Sequence, residues 1–226
     1  MVPYQQQGFV GYRGRHLMMM RRYPGRIDKR YRMSGTFAFE RNHLEPGFRM
    51  EDNAEWMKYR DQICYPVERY LLGFTARDKE RLISAIISNA LRNEKTEFEE
   101  LKRIPADPGL ETIGDAVLDF VIIDHFALMR RYTAKEIDDL RQFYGGNDTL
   151  HGYAKNCIRL QNFILWGPDE RERTIWDLPD TTILADRFEM LVGVMYLENG
   201  IGAVKEFLRN HHFFEDIGSM KTIPKT

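Results

Sequence analysis

The stretch LETIGDAVLDFVI at residues 110–122 is largely apolar but carries two carboxylates, Glu111 and Asp115, four positions apart. A helix that is apolar nearly all round belongs at the centre of a bundle, so the pattern predicts a central helix from about Gly109 to Arg130. Side chains four positions apart lie on one face of a helix. The two carboxylates are therefore predicted to stand side by side on a rigid element.

A second stretch, ILADRFEMLVGVMYLENG at residues 183–200, places Asp186 and Glu189 three positions apart on a helix that is predicted to end at Asn199-Gly200. Either pair alone is also typical of a solvated helix face. Four carboxylates brought together raise one another's pKa unless cations lie between them, and their oxygens suit Mg²⁺, for which Mn²⁺ can substitute. The two pairs together thus predict a metal site for a phosphodiester substrate.

Helical periodicity begins at Pro66, and no segment alternates as a strand does, so the predicted fold class is all-α. Start signals stand at Thr75 with Asp78 and at the capping-box pair Thr133 and Glu136. The charged residues 93–109 include two prolines and are predicted to form a loop. The apolar faces of the further predicted helices are Leu82, Ile83, Ile86 and Ile87; Ile137, Leu140, Phe143 and Tyr144; Leu150, Tyr153, Ala154 and Cys157; and Ile201, Val204, Phe207 and Leu208.

Charge divides the chain into two parts. Residues 1–50 hold ten Lys and Arg against three acidic residues, a surplus of seven, whereas the whole chain has a formal net charge of −1, which leaves about −8 for the remainder. We predict a largely disordered basic arm at 1–55, a helical domain at 56–218 and a tail at 219–226. The distant cysteines Cys64 and Cys157 match no metal or disulfide spacing. No stretch has the length and apolarity of a membrane span.

LETIGDAVLDFVI resembles the signature segment of the ribonuclease III catalytic domain, usually written E-R-L-E-F-L-G-D-A-V-L, and the resemblance continues over roughly residues 66–212. It implies a ribonuclease III-like endonuclease domain that works as a homodimer with Mg²⁺. It also implies hydrolysis of double-stranded or structured RNA to 5′-phosphate and 3′-hydroxyl ends. The catalytic, metal-binding carboxylates of the family would fall on Glu111, Asp115, Asp186 and Glu189.

The chain departs from the family pattern in three places. Pro108 stands where the first signature glutamate is expected, and Thr112 stands where an aromatic residue commonly projects toward the partner subunit. Ser88-Asn89-Ala90 replaces the usual His-Arg-Ser segment. We therefore expect a dimer with altered or weaker packing. Only ten residues follow Asp216, so the chain resembles family members without a double-stranded RNA-binding domain.

The basic arm is the candidate for drawing RNA toward an acidic body. Its cations can neutralise phosphates, and Tyr12, Tyr23 and Tyr31 can stack on unpaired bases. The alternatives are an inert tail or an organellar transit peptide, although Ser34 is its only serine. A cytoplasmic location is expected otherwise. The candidate RNA-binding residues are Arg13, Arg15, Arg21, Arg22, Arg26, Lys29, Arg30 and Arg32.

Two other functions compete with the nuclease hypothesis. One is a catalytically silent ribonuclease III-like RNA-binding or ribosomal structural protein, which loss of any of the four carboxylates would have favoured. The other is an all-α phosphohydrolase of small nucleotides, which would be expected to show His-Asp metal pairs. The histidines, including His125, His151 and His211-His212, show no ligand spacing and are predicted to be packing or surface residues. Asp119 is predicted to be an outer or surface carboxylate.

Overall fold

The computed structural model describes residues 54–93, 99–104 and 109–220, and this part of the chain is helical with no β-strand, which confirms the all-α prediction. Its only strand-like pairing is an isolated bridge between Ile87 and Leu165. None of its helices is long and apolar enough to cross a membrane. The helices are α1 (Ala54–Val67), α2 (Lys79–Ile86), α3 (Asn89–Asn93), α4 (Glu99–Arg103), α5 (Leu110–Leu128), α6 (Ala134–Tyr144), α7 (Asn147–Asn156), α8 (Pro168–Glu172), α9 (Ile183–Asn210) and α10 (Phe213–Met220).

Helix α1 begins at Ala54, well ahead of Pro66, where we expected helical structure to start. It buries Trp56, which is 1% exposed, together with Cys64. Pro66 lies inside the helix, and a π-helical turn at Glu68–Leu72 follows it. A proline cannot donate the next helical hydrogen bond, so a change of helical register at this point is expected.

The predicted helix signals of α2, α6 and α9 are present in the structure. Asp78 caps α2 by accepting a hydrogen bond from the backbone N–H of Arg81 at 2.9 Å. Thr133 and Glu136 form the predicted capping box of α6. In α9, Gly200 has φ 74° and ψ −177°, which interrupts the helix where its end was predicted.

Helices α4 and α10 were not predicted either. Helix α4 lies within residues 93–109, which we had expected to be a loop, and it buries Leu101. Helix α10 lies beyond the last predicted helix and buries Phe213 and Ile217 completely. Pro108 and Pro105 lie outside the described residues.

Ser88 replaces part of the missing His-Arg-Ser segment and has a clear structural role. It is fully buried. Its hydroxyl oxygen accepts hydrogen bonds from the backbone N–H groups of Leu91 at 3.0 Å and Gly167 at 3.3 Å. Ser88 therefore fastens the end of α2 to the segment that precedes α8.

Candidate active site

The two carboxylate pairs lie on α5 and α9, which form the most extensive helix pair of the described fold. Glycines let the two backbones approach closely. A Cβ atom on Gly114 would lie 1.8 Å from the backbone oxygen of Glu189, and one on Gly193 would lie 2.4 Å from the backbone oxygen of Leu110. Only glycine fits at such contacts. This approach brings the helix turn of Glu111 and Asp115 beside that of Glu189.

Glu189 is at the centre of the resulting cluster. Only 6% of its surface is exposed. Burial, followed by the charges of Asp115, Asp186 and Glu111, raises its pKa from 4.5 to about 8. The structure thus brings the four predicted carboxylates close enough together for three of them to act on the fourth.

The neighbouring carboxyl groups are less buried than Glu189, but they share its electrostatic environment. Burial and the charge of Asp119 raise the pKa of Asp115, while Arg141 opposes the shift. Burial also raises the pKa of Asp186, against the opposing effect of the Arg187 guanidinium. Bringing these carboxylates together costs electrostatic free energy unless positive charges lie nearby. Such a cluster is typical of a site that binds divalent cations.

Asp119 extends the carboxylate row of α5 by one more turn and is held by α6. The Arg141 guanidinium lies 2.8 Å from its carboxylate and 3.0 Å from that of Asp138. The charge of Asp119 also contributes to the raised pKa of Glu189. Asp119 is therefore an outer carboxylate whose own charge is balanced by an arginine.

The carboxylate side chains of this cluster are not arranged as a complete set of metal ligands. Within residues 54–93, 99–104 and 109–220, no three His, Cys, Asp or Glu side chains are close enough together to hold a metal ion. Mg²⁺ uses few protein oxygens and keeps several waters, so a cluster of separated carboxylates remains suitable for it. The donor chemistry fits a hard cation.

Three histidines have packing contacts. His125 stacks on Phe214 with ring centroids 3.6 Å apart, and Nε2 of His211 lies 3.2 Å from the backbone oxygen of Leu71. His151 on α7 contacts the backbone oxygen of Trp176 at 3.2 Å. Unlike the other two, His151 is close enough to the cluster for its charge to lower the pKa of Asp186.

Sequence reasoning missed the residues that assemble this site. Gly114 and Gly193 were available as a signal, because each lies within one turn of a predicted carboxylate on an apolar helix. The roles of Arg141 and His151 had no local signal, because both act across helices that are distant in sequence. Arg187, one of several arginines adjacent to acidic residues, is only 5% exposed and so lies inside the fold.

The predicted RNA-binding arm is not part of the described structure. All of its candidate residues lie outside the described residues, namely Arg13, Arg15, Arg21, Arg22, Arg26, Lys29, Arg30 and Arg32.

Comparison with known proteins agrees with this geometry. Residues 109–200 match the family model described as Ribonuclease III domain. The chain is 32% identical over 142 residues to Ribonuclease 3 of Streptococcus pneumoniae (strain CGSP14), and 29% identical over 143 residues to Ribonuclease 3 of Protochlamydia amoebophila. Each match covers 62% of this chain and 56% of the relative, so the chain spans about half the length of these relatives.

Solved structures show the same likeness. A nuclease domain of ribonuclease III from Campylobacter jejuni matches with a TM-score of 0.52 and 25% identity, covering 66% of this chain and 94% of that domain. Its description concerns structural flexibility in a region involved in dimer formation. A second structure of the Campylobacter nuclease domain, at 23% identity and a TM-score of 0.50, shows the fold alone.

Proposed function

We propose that the protein is an endoribonuclease that hydrolyses phosphodiester bonds in double-stranded or structured RNA, because residues 109–200 match the Ribonuclease III domain model and the similar relatives are Ribonuclease 3 proteins. The products would carry 5′-phosphate and 3′-hydroxyl ends. One observation carries the proposal. At the contact of α5 with α9, burial of Glu189, followed by the charges of Asp115, Asp186 and Glu111, raises its pKa to about 8.

Glu111, Asp115, Asp186 and Glu189 would hold Mg²⁺, or Mn²⁺ in its place. When bound, two divalent cations would supply a clamp for the attacking and leaving oxygens of an in-line displacement. The protein fixes the two helix turns that carry the carboxylates through the backbone contact at Gly114. Glu189 would have to be ionised to hold a cation, so cation binding would compete with protonation there.

The same four residues would serve catalysis by holding charge in place rather than by moving protons. Helices α5 and α9 hold the backbone of the carboxylate residues in place, and Glu189 is buried on one side of the cluster. Asp119 and Arg141 form an ion pair at the edge of the cluster, with the guanidinium 2.8 Å from the carboxylate. Duplex RNA would be recognised there mainly by shape and by its phosphates and 2′-hydroxyls.

We also propose that two copies of the chain associate through α5. One exposed face of this helix carries apolar residues where a solvated helix would carry charges, including Phe120 at 53% exposure and Ile123 at 40%. Ala116 and Ala127 are exposed on the same face. Lys205 lies 2.6 Å from Asp124 and 5.7 Å from the ring centre of Phe120, so a charge pair borders the apolar stripe. An isologous pairing would bury the stripe.

The test is cleavage of long duplex RNA by the purified protein with and without Mg²⁺. We expect cleavage in Mg²⁺ and its loss in Glu189→Gln and in Asp115→Asn, with the fold retained, because each change removes a carboxylate from the cluster. Glu206→Gln, an exposed change on the same helix α9, is the matched control and should cleave normally. RNA binding without cleavage in the wild-type protein would favour the silent RNA-binding alternative. Full activity of Glu189→Gln would contradict the site assignment.

A further inference from the structure

Asp119 lies at the edge of the carboxylate site, one helical turn beyond Asp115 on α5. Residues four positions apart share a helix face, with their Cβ atoms about 5–6 Å apart. Burial is the main cause of the raised pKa of Asp115, and the charge of Asp119 is the next. The charge of Asp119 also contributes to the raised pKa of Glu189. Asp119 is therefore near enough to act on two of the proposed metal-binding residues.

The side chain of Asp119 is held at the contact of α5 with α6. Nη1 of Arg141 donates a hydrogen bond to one of its carboxylate oxygens at 2.8 Å. A Cβ atom on Gly145 would lie 3.2 Å from the other carboxylate oxygen, so the backbone at the end of α6 lies close to it. Only 30% of the Asp119 side chain is exposed. Both carboxylate oxygens of Asp119 thus lie against α6.

The guanidinium of Arg141 is fixed from a second side as well. Its Nε and Nη2 groups donate hydrogen bonds to one carboxylate oxygen of Asp138 at 3.1 and 3.0 Å. Gln142 donates to the other oxygen of that carboxylate at 2.9 Å. An arginine stays charged at any ordinary pH, and its planar group holds several hydrogen bonds in one orientation. Arg141 therefore places a permanent positive charge beside Asp119.

We propose that Arg141 is a positioning residue of the carboxylate site, which holds Asp119 against α6 and offsets its charge so that Asp119 does not bind the cations. The proposal rests on the proposed function. Without Arg141, Asp119 would add an uncompensated charge to the cluster and could rotate toward Asp115. A negative charge near a cation site raises its affinity. Arg141 thus lowers the affinity of the site, which leaves more of the coordination of Mg²⁺ to water and to phosphate oxygens.

Three variants and a control separate this role from a purely structural one. Arg141→Met removes the charge and keeps a long side chain, Asp119→Asn removes the opposite charge and keeps the shape, and the double variant removes both. Lys135→Met, an exposed change on the same helix α6, removes the same charge as Arg141→Met and is the matched control. Mn²⁺ affinity by calorimetry and the melting temperature without metal are measured for each protein.

Arg141→Met should bind Mn²⁺ about threefold or more tightly than the wild type and should melt at a lower temperature without metal, because it leaves the charge of Asp119 uncompensated. Asp119→Asn should bind Mn²⁺ about threefold or more weakly, because the unbalanced guanidinium would repel the cation. The double variant should bind nearly as the wild type does. Lys135→Met should leave the affinity unchanged.

A purely structural arginine predicts the opposite sign, since its loss would disturb the site and weaken Mn²⁺ binding. In a wild-type background that binds Mn²⁺ and cleaves duplex RNA, a folded Arg141→Met protein that binds Mn²⁺ no more tightly would overturn the role of Arg141 alone. If Arg141→Met does not fold, Asp119→Asn decides: weaker binding supports the proposal, and unchanged or tighter binding overturns it. A wild-type protein that neither binds Mn²⁺ nor cleaves RNA would overturn the proposed function together with this inference.

Discussion

At the scale of single residues, Glu189 has the most unusual environment of the candidate site. Burial and the charges of Asp115, Asp186 and Glu111 raise its pKa from 4.5 to about 8. Between these two pH values the folded protein holds a proton that the unfolded chain releases. The stability that this proton provides is fully present below pH 4.5 and is lost as the pH rises through 8.

The metal-free protein should therefore melt at a progressively lower temperature as the pH is raised from about 5 to 8. Glu189→Gln should flatten this profile and stabilise the protein at the upper end by on the order of 1 kcal/mol or more, because an amide has no charge to bury. Thermal melts in a chelating buffer measure both effects. Glu206→Gln should keep the wild-type profile, and an unflattened profile in Glu189→Gln would show that Glu189 ionises freely.

Metal binding should oppose this loss of stability at higher pH. Because Mg²⁺ favours the ionised carboxylates, its stabilising effect should grow as the pH rises toward 8, and binding should release protons. Calorimetry in two buffers of different ionisation enthalpy measures the number of protons released. Binding that is independent of pH across this range would mean that Glu189 is not a ligand.

At the scale of helices, the contact of α5 with α9 depends on two glycines. Gly114→Ala would place a Cβ atom 1.8 Å from the backbone oxygen of Glu189, which forces the two helices apart. The intrinsic gain of alanine over glycine in a helix is about 1 kcal/mol, whereas overpacking of this kind costs about 1–3 kcal/mol or more. The clash therefore outweighs the helix propensity of alanine, and the net effect of Gly114→Ala should be destabilising.

We expect Gly114→Ala to lower the free energy of unfolding by at least about 1 kcal/mol and to lower Mn²⁺ affinity as well, since it separates the carboxylate pairs. Gly202→Ala, in the partner helix α9 and with no atom within 4 Å of the added Cβ, is the control and should stabilise by about 0.5–1 kcal/mol. Denaturant unfolding measures both changes. Equal effects of the two substitutions would contradict the close packing of α5 on α9.

At the scale of the whole molecule, the proposed association through α5 rests on its exposed apolar stripe. Phe120→Glu should convert a dimer into a monomer at micromolar concentration, because it places a charge at the centre of the buried contact. Sedimentation equilibrium measures the change. Leu178→Glu alters a side chain of similar exposure, 41%, in the segment before α9 and should leave the dimer intact. A Phe120→Glu protein of unchanged mass would place the interface elsewhere.

The basic arm is predicted to act on RNA binding rather than on chemistry. Deleting residues 1–50 removes ten cations and should weaken RNA affinity, with little loss of turnover at saturating substrate. Each lost phosphate contact should reduce the slope of log affinity against log salt by about 0.7–0.9. Filter binding over a salt series measures the slope. An unchanged slope would mean that the arm is a targeting segment or an inert tail.

The sequence by itself determined the elements whose signals are local. Helical periodicity, the cap at Asp78, the capping box at Thr133 and the break at Gly200 depend on neighbouring residues, so each is present as predicted. The carboxylate pairs belong to this group too, because residues three or four positions apart share a helix face whatever surrounds them.

Only the tertiary structure decided the features that depend on distant contacts. Helices α1 and α10 were not predicted, and they bury Trp56 and Phe213 in the core shared with other elements. The raised pKa of Glu189 requires α5 and α9 to touch at Gly114. The bond of His151 to Trp176 likewise joins separate segments. Burial and charge proximity are properties of the packed chain, so no local pattern could specify them.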